Sequence, residues 1–295
     1  MATVDWHHLL ILISINCIGA LGYYVTLTSG QLSICHGALY ALGGYFAGYV
    51  AMKLQWPVAL LLAVGFLAAA IPGYLLALAT RRLRDLYFAV ATFGFGGALV
   101  EAIGHMPFLG GHFGLGGIPM FTTLPLSLGV LLVTVLFVWR WDHSLNYQIN
   151  AVTKLDLEMA LVLGIDVRQV RRTAFALGAG IAGVSGALYA GSTTIMTPRE
   201  GGFEHSLALL LMVVIGGTRS WKGPILGAVI WTLLPELLRF ASTWRLVIFG
   251  AIAVLLMALR PEGIIGRSLP GRSMFGGSWF GGSRAAPDKA GSPGA

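Results

Sequence analysis

Charge is what this 295-residue chain has least of: Asp, Glu, Lys and Arg make up 11% of it, where a soluble domain carries about 25%. Cysteine is scarcer still. Cys17 and Cys35 both fall in apolar stretches, where a thiol serves as a small packing residue and says nothing of redox compartment. No Gly-x-x-x-x-Gly-Lys-Ser/Thr string occurs, which excludes ATP hydrolysis through a P-loop of the chain's own. No catalytic constellation stands out either, and the chain reads as a non-enzyme. Residues 1–8, MATVDWHH, contain no Lys or Arg, and no small-residue cleavage site follows them, so the first apolar stretch is read as a retained span and not a secretory leader.

Hydrocarbon fills the place of charge. Apolar residues make up 56% of the chain and the mean hydropathy is +0.79. Stretches near the ~20 residues that cross ~30 Å of lipid recur along its length. The pattern gives nine segments, at 7–27, 31–52, 57–79, 86–104, 124–140, 173–190, 206–218, 224–238 and 244–259. Those starting at Gln31 and Ser206 are rich in glycine and polar groups and are candidates for re-entrant or broken helices. The expected fold is an all-α polytopic membrane protein of about eight or nine such segments over residues 1–265. Residues 266–295, dominated by Gly, Ser, Pro and Ala, read as a disordered tail.

The net charge of +7 does not mark a nucleic-acid binder, because the basic residues lie between spans. If all nine segments cross, fifteen of the nineteen Lys and Arg fall on one side, leaving only Lys53, Arg199, Arg239 and Arg245 on the other. The positive-inside rule then puts the 141–172 loop and the C-terminus in the cytoplasm. Helices in lipid associate through close approach, which favours small residues four apart. The sixth segment carries such ridges at Gly178, Ala182, Gly186 and at Ala179, Gly183, Ala187, and is expected near the bundle centre.

The 141–172 loop holds a polar run, Asp142 to Asn150, then LDLEMALVLGIDV. Leu155 to Leu163 are expected to form a short apolar helix stopped by Gly164, with Asp166 capping the next helix. An exposed apolar helix calls for a cover, either the chain's own helices, the lipid surface or a partner.

ALVLGIDVRQVRRTAFALGAGIAGVSGALYAG, at 160–191, resembles the cytoplasmic loop and following helix of permease subunits of branched-chain amino acid ABC importers. GQLSICHGALYALGGY (30–45), DLYFAVATFGFGGALVEAI (85–103) and SLALLLMVVIGGTRSWKGPILGA (206–228) agree with the same family. The resemblance implies that Leu157, Glu158, Met159, Ala160, Leu163, Gly164 and Asp166 form the helix that couples the channel to an ATPase. It implies partners: a homologous permease subunit, two ATP-binding subunits that hydrolyse the ATP, a periplasmic substrate-binding protein, and the lipid of a bacterial inner membrane. It implies no directly bound cofactor. Asp156, Glu158 and Met159 depart from the family's usual spacing, and Arg219 stands where glycine commonly follows Gly216 and Gly217.

Ionisable and polar side chains inside spans are costly and are functional candidates by default. Asn16, Gln31, Ser33, His36 and Glu101 are the candidates for a substrate path. His36 has the alternative role of a hydrogen-bonded packing histidine. Glu101 has that of a group near the outer end that reaches water, as does Glu236. His105 and His112, in the glycine-rich loop 105–119, show no convincing set of partners in sequence, and no metal site is assigned. The alternatives to an importer of branched-chain or related hydrophobic amino acids are an ion-coupled secondary transporter, which needs no loop helix, and a related permease for urea or short amides.

Overall fold

The computed structural model describes residues 6–81, 83, 85–155, 160, 162, 164–237, 250 and 264. Nearly all regular structure among them is helical: α1 Trp6–Thr28, α2 His36–Leu54, α3 Val58–Ala79, α4 Asp85–Gly104, α5 Leu124–Asp142, α6 Leu145–Leu155, α7 Val167–Thr193, α8 Phe203–Gly216 and α9 Lys222–Leu237. Five of these, α1, α3, α4, α5 and α7, are long and apolar enough to cross a membrane. The segment expected at 244–259, residue 250 apart, and the tail from 266 lie outside the described residues.

α1 and α7 form the centre. About 78% of their apolar stretch is buried, against 17–28% for α3, α4 and α5, whose outward faces are of the leucine and phenylalanine that lipid solvates. α7 packs against α1, α2 and α3, and the reason is the absence of side chains on its glycines. A methyl group on Gly178 would fall on the Thr26 hydroxyl, one on Gly183 on the Gly65 carbonyl oxygen, and one on Gly186 on the Tyr40 carbonyl oxygen. Gly22 of α1 and Gly43 of α2 answer them across the same seams. Backbone-to-backbone approach of this kind maximises dispersion contact where hydrophobic burial supplies no drive.

α1 and α7 run antiparallel, Gly22 beside Gly178 and the Ser185 hydroxyl donating to the Ile15 carbonyl. α3 runs antiparallel to α7 as well, Gly73 against Phe175 and Gly65 against Ala187. These pairings gather Arg81, Arg140, Arg168, Arg171 and Arg172 at one end of the bundle, called the basic end below. The α8–α9 turn, with Arg219 and Lys222, joins them there, since the Trp221 amide donates to Asp142 at the end of α5. The opposite end is built from two 3-10 turns, Pro107–Leu109 and Gly111–Phe113, a third at Pro198–Gly201, and a two-residue antiparallel pairing of Leu115–Gly116 with Ile195–Met196.

Three expected boundaries move. α2 begins at His36, since residues 31–35 are not helical although the apolar pattern runs through them. α7 begins at Val167, well before the apolar run at 173, because the Asp166 carboxylate accepts from the amides of Arg168 and Gln169 and starts the helix among its arginines. In the loop, the polar run is itself helical, since Leu145, Ile149 and Val152 recur at helical spacing as α6. Of the expected Leu155–Leu163 helix only Leu155, Ala160 and Val162 are described, all helical; Leu157, Glu158, Met159 and Leu163 lie outside the described residues. Gly164 follows at φ +72°, a conformation that ends a helix at little cost only in glycine.

Candidate functional site

A chain that leaves helical geometry inside lipid must find a partner for every exposed amide. Residues 29–35 leave helical geometry against the bundle, and some of their backbone groups are met by side chains of neighbouring helices. Tyr23 donates to the Ser33 carbonyl at 2.8 Å, and the Ile34 amide donates to Thr92 of α4 at 3.0 Å. The Gly37 amide, in the first turn of α2, donates to the Ser206 hydroxyl of α8 at 2.9 Å. Gln31 is buried, its amide oxygen 3.0 Å from the Ser29 hydroxyl.

His36 sits under this segment with no exposed surface. Its Nε2 is 3.0 Å from the Thr26 hydroxyl and its Nδ1 is 3.1 Å from the Ser33 hydroxyl. Tyr23 and Phe175 flank the ring edge-on, with centroids at 4.8 and 5.4 Å. Both nitrogens are engaged and no face is open, so His36 fastens the broken segment to α1. Gln31, Ser33 and His36 thus come together, whereas Asn16 does not join them: its amide donates to Thr232 of α9 at 2.9 Å. Glu101 is remote as well, with its side chain about 65% exposed in the last turn of α4.

A second group, from four separate stretches of chain, escapes sequence reading. Tyr40 of α2 is buried against His205 at 4.3 Å and Tyr189 at 5.8 Å between ring centroids. The Glu200 carboxylate lies near the Tyr189 phenol. The buried Tyr45 hydroxyl and the His205 Nε2 have no hydrogen-bond partner. Three phenols, a carboxylate and an imidazole therefore share one partly dry place on the non-basic half of the molecule. Orphaned buried polar atoms are rare in folded proteins and call for an explanation. Tyr40 and Tyr45 lie five apart in an apolar run and look like packing residues; only folding brings Glu200 to them.

At the basic end a third group ties the loop to the bundle. The Asp142 carboxylate, last residue of α5, accepts from the Tyr24 hydroxyl at 3.1 and 3.2 Å and from the Trp221 amide at 3.2 Å. Tyr147 of α6 hydrogen-bonds Tyr24, and since Tyr24's one proton is given to Asp142, Tyr147 is the donor. Burial, then the nearby Asp142 charge, raises the Tyr147 phenol above its ordinary range, which keeps that proton in place.

The expected coupling residues are differently disposed. Gly164 and Asp166 are exposed, whereas Ala160 is fully buried within the chain itself. Helical periodicity explains the result: Val162, two positions on, takes the outward face and is 88% exposed. His105 and His112, for which the sequence offered no set of partners, have Glu101 beside them, and one ligating atom from each of the three lies within 4.8 Å of the others.

Comparison with known proteins follows this geometry closely in extent. The sequence profile of the family described as branched-chain amino acid transport system / permease component matches residues 7–259. The high-affinity branched-chain amino acid transport system permease protein LivM of Escherichia coli K12 is 26% identical over 277 residues, covering 82% of this chain and 65% of that protein. LivM of Salmonella typhimurium LT2 gives the same identity and coverage. The corresponding permease protein LivH of Escherichia coli K12 is 30% identical over 114 residues, 38% of this chain and 37% of that one. The chain thus spans about two thirds of the length of its LivM relatives. No solved structure matches it. The chain is a multi-pass membrane protein and belongs to the branched-chain amino acid transport system permease family.

Proposed function

We propose that this chain forms half of the channel of an ABC importer for branched-chain or related hydrophobic amino acids in a bacterial inner membrane. The family match over residues 7–259 carries this reading. The other half is a homologous permease subunit, as the separate likenesses to LivM and LivH suggest. Two ATP-binding subunits supply the energy from the basic, cytoplasmic end, and a periplasmic binding protein delivers substrate at the other. The chain binds no cofactor directly.

Two of the groups described above take roles in this scheme. The place made by Tyr40, Tyr45, Tyr189, Glu200 and His205 is where a zwitterion passes: the carboxylate and the aromatic faces suit its ammonium group, and the apolar walls suit its side chain. The Asp142 group transmits movement of the loop to α1 and to the α8–α9 turn. An ATPase docks on the loop around Val162.

The test is reconstitution of the chain with its partner subunits in proteoliposomes. Uptake of leucine is expected to require ATP and the binding protein and to ignore a protonophore. Uptake that persists without ATP hydrolysis and collapses with the proton gradient would make the protein a secondary transporter instead.

A further inference from the structure

Glu101 stands in the last turn of α4 and His105 is the residue just past its end, its amide still donating to the Glu101 carbonyl, so the two side chains share one face. His112 is brought back over them by the chain itself. Gly110, Gly111 and Gly114 hold φ of +86°, +60° and +87°, values that side chains other than glycine rarely adopt, and they wrap the 3-10 turn at 111–113 around the end of the helix. The return is close. A methyl group on Gly104 would lie 2.7 Å from the His112 Cε1 and 2.8 Å from its Nδ1.

The resulting cluster has the chemistry of a metal site. The His112 Nε2 is 4.0 Å and the His105 Nδ1 3.5 Å from the same Glu101 oxygen, and the two imidazole rings meet edge-on at 5.0 Å. The His105 Nδ1 also lies 2.9 Å from the Glu101 main-chain carbonyl. A carbonyl only accepts, so in this structure Nδ1 carries the proton, and His105 would ligate through Nε2 after its exposed ring turns toward Glu101. Ligands of a tetrahedral zinc are about 3.3–3.5 Å apart. All three side chains are more than half exposed, which leaves them free to close the remaining distance.

We propose that Glu101, His105 and His112 bind one zinc ion, with water in the fourth position, and that the ion clips the glycine-rich outer loop to the end of α4. Two imidazoles and one carboxylate suit zinc better than the hard cations calcium and magnesium, which take oxygen. The site is separate from the groups assigned to transport above, and the proposal does not rest on the substrate reading.

The experiment titrates untagged full-length chain in nanodiscs with zinc sulfate, in a background in which exposed His7 and His8 are alanine. One equivalent is expected to bind, and His112→Ala or Glu101→Gln to weaken it at least about tenfold. Gly104→Val retains all three ligands but displaces the His112 ring, and is expected to weaken zinc binding too. Zinc is also expected to slow amide hydrogen exchange across 105–114 in the chain with intact ligands and not in His112→Ala. Affinity unchanged by all three substitutions, or zinc that binds without slowing exchange, would overturn the proposal.

Discussion

The Tyr24 hydroxyl, late in the central helix α1, donates to Asp142 at the end of α5, reaching its two carboxylate oxygens at 3.2 and 3.1 Å at the basic end of both helices. That single carboxylate also receives the Trp221 amide, so it joins α1, α5 and the α8–α9 turn at the root of the 141–172 loop.

Removing the carboxylate therefore separates the loop from the bundle. Each hydrogen bond to a charged group is worth about 1.5–3 kcal/mol. Asp142→Ala is expected to leave an assembled transporter that hydrolyses ATP but takes up several-fold less substrate per ATP, and Asp142→Asn, which still accepts, to lose less. Measurement of uptake against phosphate release checks this. An unchanged ratio for Asp142→Ala would reduce the group to local packing.

On the loop, exposure separates two substitutions that sequence treats alike. Val162→Asp changes a side chain that is 88% exposed and is expected to spare the amount of chain in the membrane while weakening ATPase co-purification about tenfold or more. Ala160→Arg puts a charge into a fully buried position and is expected to lower the amount of chain itself. Normal co-purification and uptake in Val162→Asp would move the docking surface elsewhere.

Glu200 is the acidic member of the tyrosine group. Glu200→Gln loses the charge, and uptake of leucine under saturating binding protein is expected to fall roughly tenfold, the effect of about 1.4 kcal/mol. Assembly should be unaffected, as judged by size exclusion of the complex. Wild-type uptake in this variant would exclude Glu200 from the path.

Glycines of the same helical type are expected to respond oppositely. Gly186→Leu drives a side chain into the Tyr40 carbonyl and should reduce folded protein several-fold, since overpacking costs about 1–3 kcal/mol or more. Gly94→Leu on α4 meets nothing within 4 Å and should be neutral. The two are compared by fluorescence-detected size exclusion of detergent extracts.

The helices were legible where apolar runs coincide with them, as in α1, α3, α4 and α5. They were less so where another interaction sets the boundary. Asp166 lengthens α7 through a run of arginines that hydropathy scores as loop, and Gln31 to Cys35 score as helix while the Ser33 carbonyl accepts from Tyr23 and the Ile34 amide donates to Thr92. The small-residue ridges of α7 could be read directly, because spacing four is local. The sites were less visible, because they are not local: Glu101 needs the return of a glycine loop to meet His112, and Glu200 lies 160 positions from Tyr40. Gln31, Ser33 and His36 were found for their cost in a membrane, but that cost is met by holding a break in the backbone and not by facing an open path.

The non-helical segment before α2 also sets how the gene can change. If a residue deleted from 31–35 were made good by drawing the first residue of α2 into the break, the helix would shift by one position, a turn of about 100°, carrying Gly43 and Gly44 away from Gly183 and Gly186 and presenting larger side chains to a seam that admits none. An inserted residue would do the same in the other direction. Substitutions in this stretch can be absorbed one at a time, but its length cannot drift, and among related chains the spacing from Tyr23 to Gly44 should hold constant even where the residues between them differ.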